Sequence, residues 1–352
     1  MLHAASDDVL GQILLYYALH RHDFLELQTC RYVCKQWLAS CDTIVSKLTQ
    51  DLPSLLATRT QVITTKGGIR EEDLQFFSEN ISRFTYHVSS QLSCFECLLS
   101  NIPAYDVFEW NALQYRDHIE YDHENAIFMM IAADKNFCAC VLRAFSLHLY
   151  HSDVTEYILQ LLLFLSISES CQIGFSTGQF ILLARNCIAV YISCEPIILD
   201  MMTLLGNMTR ENADFSNECI RCSLWLCLKN VLSRYQTHSE ISWECISIIY
   251  HILASSDYSF DFISILASSS VLDAVILCMN AMPHNLEIQE AGCLALSTAC
   301  LFGDVIICKL QKLSTRNAVA RAIFQPNARD LTKYHGSLVL TKILHWARSV
   351  DT

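Results

Sequence analysis

The sequence predicts an all-α fold, a stack of helical pairs, and three observations carry that expectation. Of 352 residues, 52% are apolar and 17% charged, which excludes a disordered or low-complexity chain. With 9 Gly and 5 Pro, the chain has little material for the turns and bulges of an all-β fold. Apolar helical segments also recur at near-constant spacing, and a helical pair that cannot bury its apolar face alone must stack on its neighbours.

Taken in order, the elements begin with a distinct N-terminal pattern. Residues 8 to 41 run Asp8, Val9, Leu10, Ile13, Leu14 and Tyr16, then Asp23, Phe24, Leu25 and Leu27, then Val33, Cys34, Lys35, Trp37 and Cys41. An apolar strip of Val9, Leu10, Ile13 and Leu14 with Asp in the first turn suits an amphipathic helix that buries one face against a partner. Gly67 and Gly68, after the β-branched run Val62 to Thr65, mark the clearest break. From Arg70 to Met130 the pattern is helical but degenerate and acidic, read as divergent or capping helices.

Regular units follow. Apolar helices at Phe137 to Tyr150, Phe180 to Ile192, Cys219 to Leu232 and Val271 to Met282 each precede a second helix. These second helices open at Asp153, Glu195, Glu240 and Glu287, at spacings of 42, 45 and 47. Pro196 stands in the first turn of one of them, where a missing N–H costs nothing. A fifth unit follows at 44, because Ala274 with Gly292 recurs as Ala318 with Gly336.

These spacings fall in the ~40 to 47 range of HEAT and armadillo arrays. The stretch Ile288 to Ala299, ended by Gly303 and Asp304, resembles the third helix of an armadillo repeat. The resemblance implies a right-handed α-solenoid of armadillo/HEAT-like repeats over residues 135–352, about five units, with 49–134 as a divergent linker or cap. The closing Val33, Cys34, Lys35 and Trp37 make residues 1–48 resemble an F-box, three short helices that dock on the Skp-type adaptor of a cullin ubiquitin ligase. Val9, Leu10, Ile13, Leu14, Val33 and Trp37 would then face the adaptor. Two departures stand against it: Ala5-Ser6 replaces the usual Leu-Pro, and the interval from Ile13-Leu14 to Val33-Cys34 is about five residues long in excess, near one helical turn plus loop. The competing reading makes this segment the first helices of the array.

Several function classes recede on composition. The most apolar windows are interrupted by Gln160, by Arg185 and Asn186, and by Glu195 and Pro196, so neither supplies the ~20 clean residues of a membrane span. With no signal-peptide pattern at Met1 to Asp8, a cytoplasmic or nuclear location is expected. The 18 cysteines read as small buried hydrophobes rather than zinc ligands: Cys94 and Cys97 form one pair without a second, and Cys219, Cys222 and Cys227 fall on one predicted helix. Net charge is −12, with residues 305 to 352 at +6 and the preceding 304 at −18. Nucleic acid is therefore an unsuitable ligand for the body, and the basic end either attracts an acidic partner or is a solvated face. Glycine-based phosphate cradles, nucleophile elbows and His-Glu-x-x-His are absent from the sequence, so no enzyme, metal or cofactor is expected.

A column of polar residues interrupts the apolar second helices. Projecting Leu294 and Thr298 back through the spacings meets Ser247 and His251, then Thr203 and Asn207 after a one-residue slip, then Gln160 and Phe164; forward it meets Leu338 and Lys342. In armadillo arrays these positions face the concave groove, so Gln160, Thr203, Asn207, Ser247, His251, Thr298 and Lys342 would hold an extended protein segment. Ordinary solvated helix positions are the alternative. The combined expectation is a non-enzymatic substrate adaptor of a ubiquitin ligase, with a scaffold or transport receptor lacking that link as its rival.

Overall fold

The computed structural model describes residues 50, 52–66, 71–83, 88–100, 135–166, 178–210, 212–256, 260–312 and 314–350. Within them the regular structure is helical, and the chain divides into two compact units at Phe175 and Ser176. Val9, Leu10, Ile13, Leu14, Val33 and Trp37 lie outside the described residues, as does the Gly67-Gly68 break.

The first unit contains α1 (Leu52–Lys66), α2 (Glu71–Arg83), α3 (Val88–Ser100), α4 (Lys135–His148) and α5 (Ser152–Leu165). Here α3 packs against α1, α2 and α5, and α4 against α2 and α5. Phe77, Phe95, Phe137 and Phe145 are fully buried between them. Asp73, also fully buried, is paired with Arg59 at 2.5 Å. The Arg59 guanidinium in turn lies 5.3 Å from the Phe76 ring centroid, an arrangement that compensates a charge otherwise costly to bury.

The second unit contains α6 (Gly178–Tyr191), α7 (Glu195–Thr209), α8 (Ala213–Arg221), α9 (Leu224–Arg234), α10 (Ser239–Ser255), α11 (Phe260–Ser268), α12 (Val271–Ala281), α13 (Leu286–Ala299), α14 (Asp304–Lys312), α15 (Thr315–Ile323) and α16 (Asp330–Val350). Its helices form two rows. In one, α7 packs on α10, α10 on α13 and α13 on α16; in the other, α6 packs on α9, α9 on α12 and α12 on α15. The rows are joined by α6 on α7, α9 on α10, α12 on α13 and α15 on α16.

One expected helix is two. Cys219 to Leu232 breaks at Ser223, whose φ of 57° is left-handed, so Cys219 belongs to α8, Cys222 caps it and Cys227 belongs to α9. The Arg185 guanidinium donates to the Cys222 carbonyl left free at that break. Short α11 and α14, which the pairwise reading omitted, precede α12 and α15 as α8 precedes α9.

A repeated turn joins many of these helices. His151, Cys194, Asn212, His238 and Asn285 each stand extended before a helix. Each donates its N–H to the carbonyl three residues back. Four of these turns carry a second bond, in which a buried polar side chain at the fourth helical residue returns to the carbonyl seven residues earlier. Thr155 donates to His148, Ser216 to Thr209, Ser242 to Tyr235, and Gln289 to Met282 and Met279. Gln91, the fourth residue of α3, donates in turn to the Ile81 carbonyl ten residues earlier, as Gln289 does to Met279. Each bond gives a carbonyl at a helix C-terminus a side-chain donor, in addition to the turn N–H at His148, Thr209, Tyr235 and Met282.

The 44-residue recurrence of Gly292 and Gly336 has a packing cause. A Cβ at Gly292 would lie 2.6 Å from Met279 Sδ, and one at Gly336 would lie 2.7 Å from Ile323 Cγ1. Each glycine therefore lets a long helix approach the preceding shorter one. Cys245, the matching residue of α10, is small enough to donate its thiol to the Leu228 carbonyl. The 3-10 turn Cys300–Phe302 after α13 ends at Gly303, whose φ of +92° suits glycine.

Two stability outcomes follow, read from denaturant midpoints. Ser242→Ala removes the return bond and should cost about 1–2 kcal/mol, whereas Ser239→Ala on the exposed first turn should change little. Gly336→Ala should cost about 1–3 kcal/mol and exceed Gly292→Ala, because β-branched Ile323 yields less readily than Met279.

Candidate protein-interaction face

The side chains singled out as a polar column divide between the units. Gln160 is an exposed residue of α5 in the first unit, and Phe164, one turn on, is 7% exposed. The remaining six belong to the α7, α10, α13 and α16 row. Thr203 with Asn207, Ser247 with His251, and Leu294 with Thr298 are each separated by one helical turn, which places each pair on one helix face. Thr203, Ser247, His251 and Thr298 are half-buried and Lys342 is exposed. Asn207, expected at an open groove position, is only 8% exposed. The Thr298 hydroxyl donates to the Leu294 carbonyl of its own helix at 3.0 Å, leaving its oxygen free to accept from a ligand.

Between α7 and α10 the column meets residues that periodicity did not single out. Glu244, 8% exposed, directs its carboxyl at Gly206, where an added Cβ would lie 2.7 Å from Oε2. Burial pushes the Glu244 carboxyl up to about 7, opposed by the Arg210 charge and a hydrogen bond from Thr203. The same burial, with Arg210 adding to it, holds His251 down to about 4. The seam therefore keeps its imidazole neutral while Arg210 remains its cation. A sequence signal did exist: Glu244 stands between Trp243 and Cys245 in an apolar helix, where an unpaired acid would be costly.

Between α13 and α16 the polar contact is different. Ser297 Oγ lies 2.9 Å from His335 Nδ1 and 2.9 Å from the Leu294 carbonyl. Burial lowers the His335 pKa while Glu290 opposes that shift, and Arg329 reaches Glu290 at 3.6 Å and Glu287 at 3.7 Å. Although a serine, a histidine and a carboxylate meet here, Ser297 is 8% exposed in mid-helix, a placement that clamps two helices rather than presenting a nucleophile.

Much of the basic C-terminal surplus has partners inside the protein. Lys309 donates to the Ala267 carbonyl at 2.8 Å and to that of Ser269, at the C-terminal end of α11, with Asp273 at 3.8 Å. Arg321 reaches Asn280, and Lys333 lies 3.7 Å from Asp330. Among the described residues, no three His, Cys, Asp or Glu side chains are grouped to hold a metal, and no single helix is long and apolar enough to cross a membrane. The described cysteines are free thiols, and burial raises those of Cys94, Cys187, Cys293 and Cys300 to about 12.

No protein-family model matches the chain, and neither a curated protein nor a solved structure does.

The histidine seam sets an acid limit. His251 is charged below about 6.5 when unfolded but stays neutral in the fold down to about 4, so the stability present above the upper value is lost as pH falls towards the lower one. His251→Gln should remove part of that loss, on the order of 2 kcal/mol, in denaturant titrations run from neutral to acid pH.

Proposed function

We propose that this protein is a non-enzymatic interaction adaptor, an armadillo/HEAT-type right-handed solenoid that holds a protein segment while an F-box-like N-terminus engages the Skp-type adaptor of a cullin ubiquitin ligase. The row of α7, α10, α13 and α16, with half-exposed polar side chains at matching helical positions, carries the first half of this reading. Long parallel rows that offer the same positions repeatedly suit an extended ligand, which meets each helix in turn. Hydroxyl and amide groups there would hold the main chain of such a segment, each hydrogen bond giving about 0.5–1.5 kcal/mol net.

The ligase link rests on the sequence of residues 8 to 41 and on the spacing of Val33, Cys34, Lys35 and Trp37. In this role the protein breaks no bond itself. It raises the effective concentration of target lysines beside a conjugating enzyme held elsewhere.

Co-purification of the full chain with a Skp-type adaptor tests the link. Leu10→Asp combined with Trp37→Ala should abolish capture while the cooperative thermal transition is preserved; loss of that transition instead would make the segment part of the array and remove the ligase reading. For the row, Lys342→Glu should flatten the salt dependence of binding to a captured acidic partner. A partner indifferent to both Lys342→Glu and Thr298→Ala at every ionic strength would bind another face.

A further inference from the structure

We infer that the contact between α7 and α10 is a proton-operated latch, closed around the Glu244 side chain seated in the space that Gly206 leaves, and released when that carboxyl loses its proton. The geometry supplies both halves of the device. The tip of the Glu244 carboxyl occupies the space left by the missing side chain of Gly206, since a methyl there would stand 2.7 Å from Oε2. Once seated, the carboxyl is 8% exposed, against Thr203 and the Arg210 charge. The surrounding α7 and α10 positions are apolar: Met202, Leu205, Ile241, Cys245 and Ile248 are all at most 2% exposed.

Four helices pack on α10, and their charges decide how far ionisation is tolerated. α7 contributes Arg210, which favours the carboxylate. On α8, Glu218 is paired with Arg221; on α13, Glu287 and Glu290 both face Arg329. Glu195 and Asp200 on α7, Asp214 on α8, and Lys229 and Arg234 on α9 complete the charged groups of these neighbours, with Glu195 lying 3.0 Å from His238; the charge acting on Glu244 is that of Arg210. His251, two turns along α10, is held neutral by burial and by Arg210. One cation at the edge of the seam thus stands against desolvation of the whole group, and desolvation is the larger effect.

The sign is fixed by that balance. In the closed seam the carboxyl holds its proton up to about 7, against 4.5 for an ordinary glutamate. The Glu244 contribution to closure is therefore fully present below the lower value and is lost as pH rises through the upper one, where the ionised group regains water by parting α7 from α10, while His251, whose charging below about 6.5 favours opening, acts in the opposite sense at acid pH. Because Thr203, Asn207, Ser247 and His251 ride on these two helices, release would alter the spacing of the face described above. The latch itself does not depend on which partner that face holds.

Hydrogen exchange of the full chain tests it, with rates corrected for their intrinsic pH dependence. In a His251→Gln background, which removes the opposing histidine titration of the same seam, amides in the C-terminal half of α7 and the facing half of α10 should lose protection by about tenfold from about pH 5.5 to about pH 8, while those of α12 and α13 hold theirs. Adding Glu244→Gln to the same background should abolish the difference. Flat protection in the His251→Gln chain, or the same pH response once Glu244→Gln is added to it, would each overturn the latch. Should Glu244→Gln fail to fold, infrared titration of the wild type decides: the protonated-carboxyl band must fade together with seam protection, and a band already absent at about pH 5.5 overturns the proposal.

Discussion

The hydrogen bond returned from the fourth residue of a helix to the end of the helix before it is the contact on which the regularity of the second unit depends. A chain that reverses direction every ten to fifteen residues or so leaves carbonyl groups unsatisfied at each helix end. In a densely packed array those ends are covered by neighbouring helices, and water cannot serve them all. The Thr209 and Tyr235 carbonyls, which already accept from the Asn212 and His238 N–H groups, take a second donor from Ser216 and Ser242, side chains with no exposed surface. The donor also fixes the angle at which the next helix leaves, so one bond settles both a polar debt and the direction of the chain. At Cys194 the turn is kept without it, for Ile198 occupies the donor position and backbone bonds from Cys194 to Tyr191 and from Ile198 to Cys194 suffice.

Seen from the sequence, the rows were legible and the turns were not. Apolar spacing located α4, α5, α6, α7, α12 and α13 closely, because burial of one helix face leaves a 3.6-residue signature. The 44-residue echo of Gly292 and Gly336 was likewise readable, and the reason for it is the side chain each glycine meets on the preceding helix. Serine at position 242, by contrast, carries no mark that separates a buried donor from a surface hydroxyl. The break at Ser223 was hidden for a similar reason: a left-handed serine between two apolar runs reads as a continuous helix, and the Arg185 guanidinium that stabilises it is distant in sequence.

Spacing picks out a set of matched positions along the row and says little of their chemistry. Spacing nominates Thr203, Ser247, His251 and Thr298, since each occupies the same turn of a similar helix. It cannot rank their burial, which depends on how closely the neighbouring helix approaches, and Asn207 is covered where Thr203 is not. Nor does it find Arg210, which stands at a helix end outside the repeat. The seams along the row consequently differ in kind. A carboxyl fills the one between α7 and α10, while a serine and a histidine bridge that between α13 and α16. A uniform sequence pattern thus supports local contacts of unlike strength and unlike dependence on protons.

The cysteines give the molecule a property separate from its contacts. Thiolate is the reactive form of the side chain, and a thiol held near 12 in a site without solvent access is nearly inert to electrophiles and oxidants. Cys187, Cys293 and Cys300 sit along the helices of the second unit in that condition, and burial also raises the fully buried Cys245 thiol of α10 well above its ordinary value. Each becomes an ordinary thiol the moment its helix separates from its neighbours. Chemical damage to this chain is consequently gated by its own breathing motions: the native array protects its sulfur, and any segment that opens long enough to be attacked is fixed in the opened state by the modification it acquires.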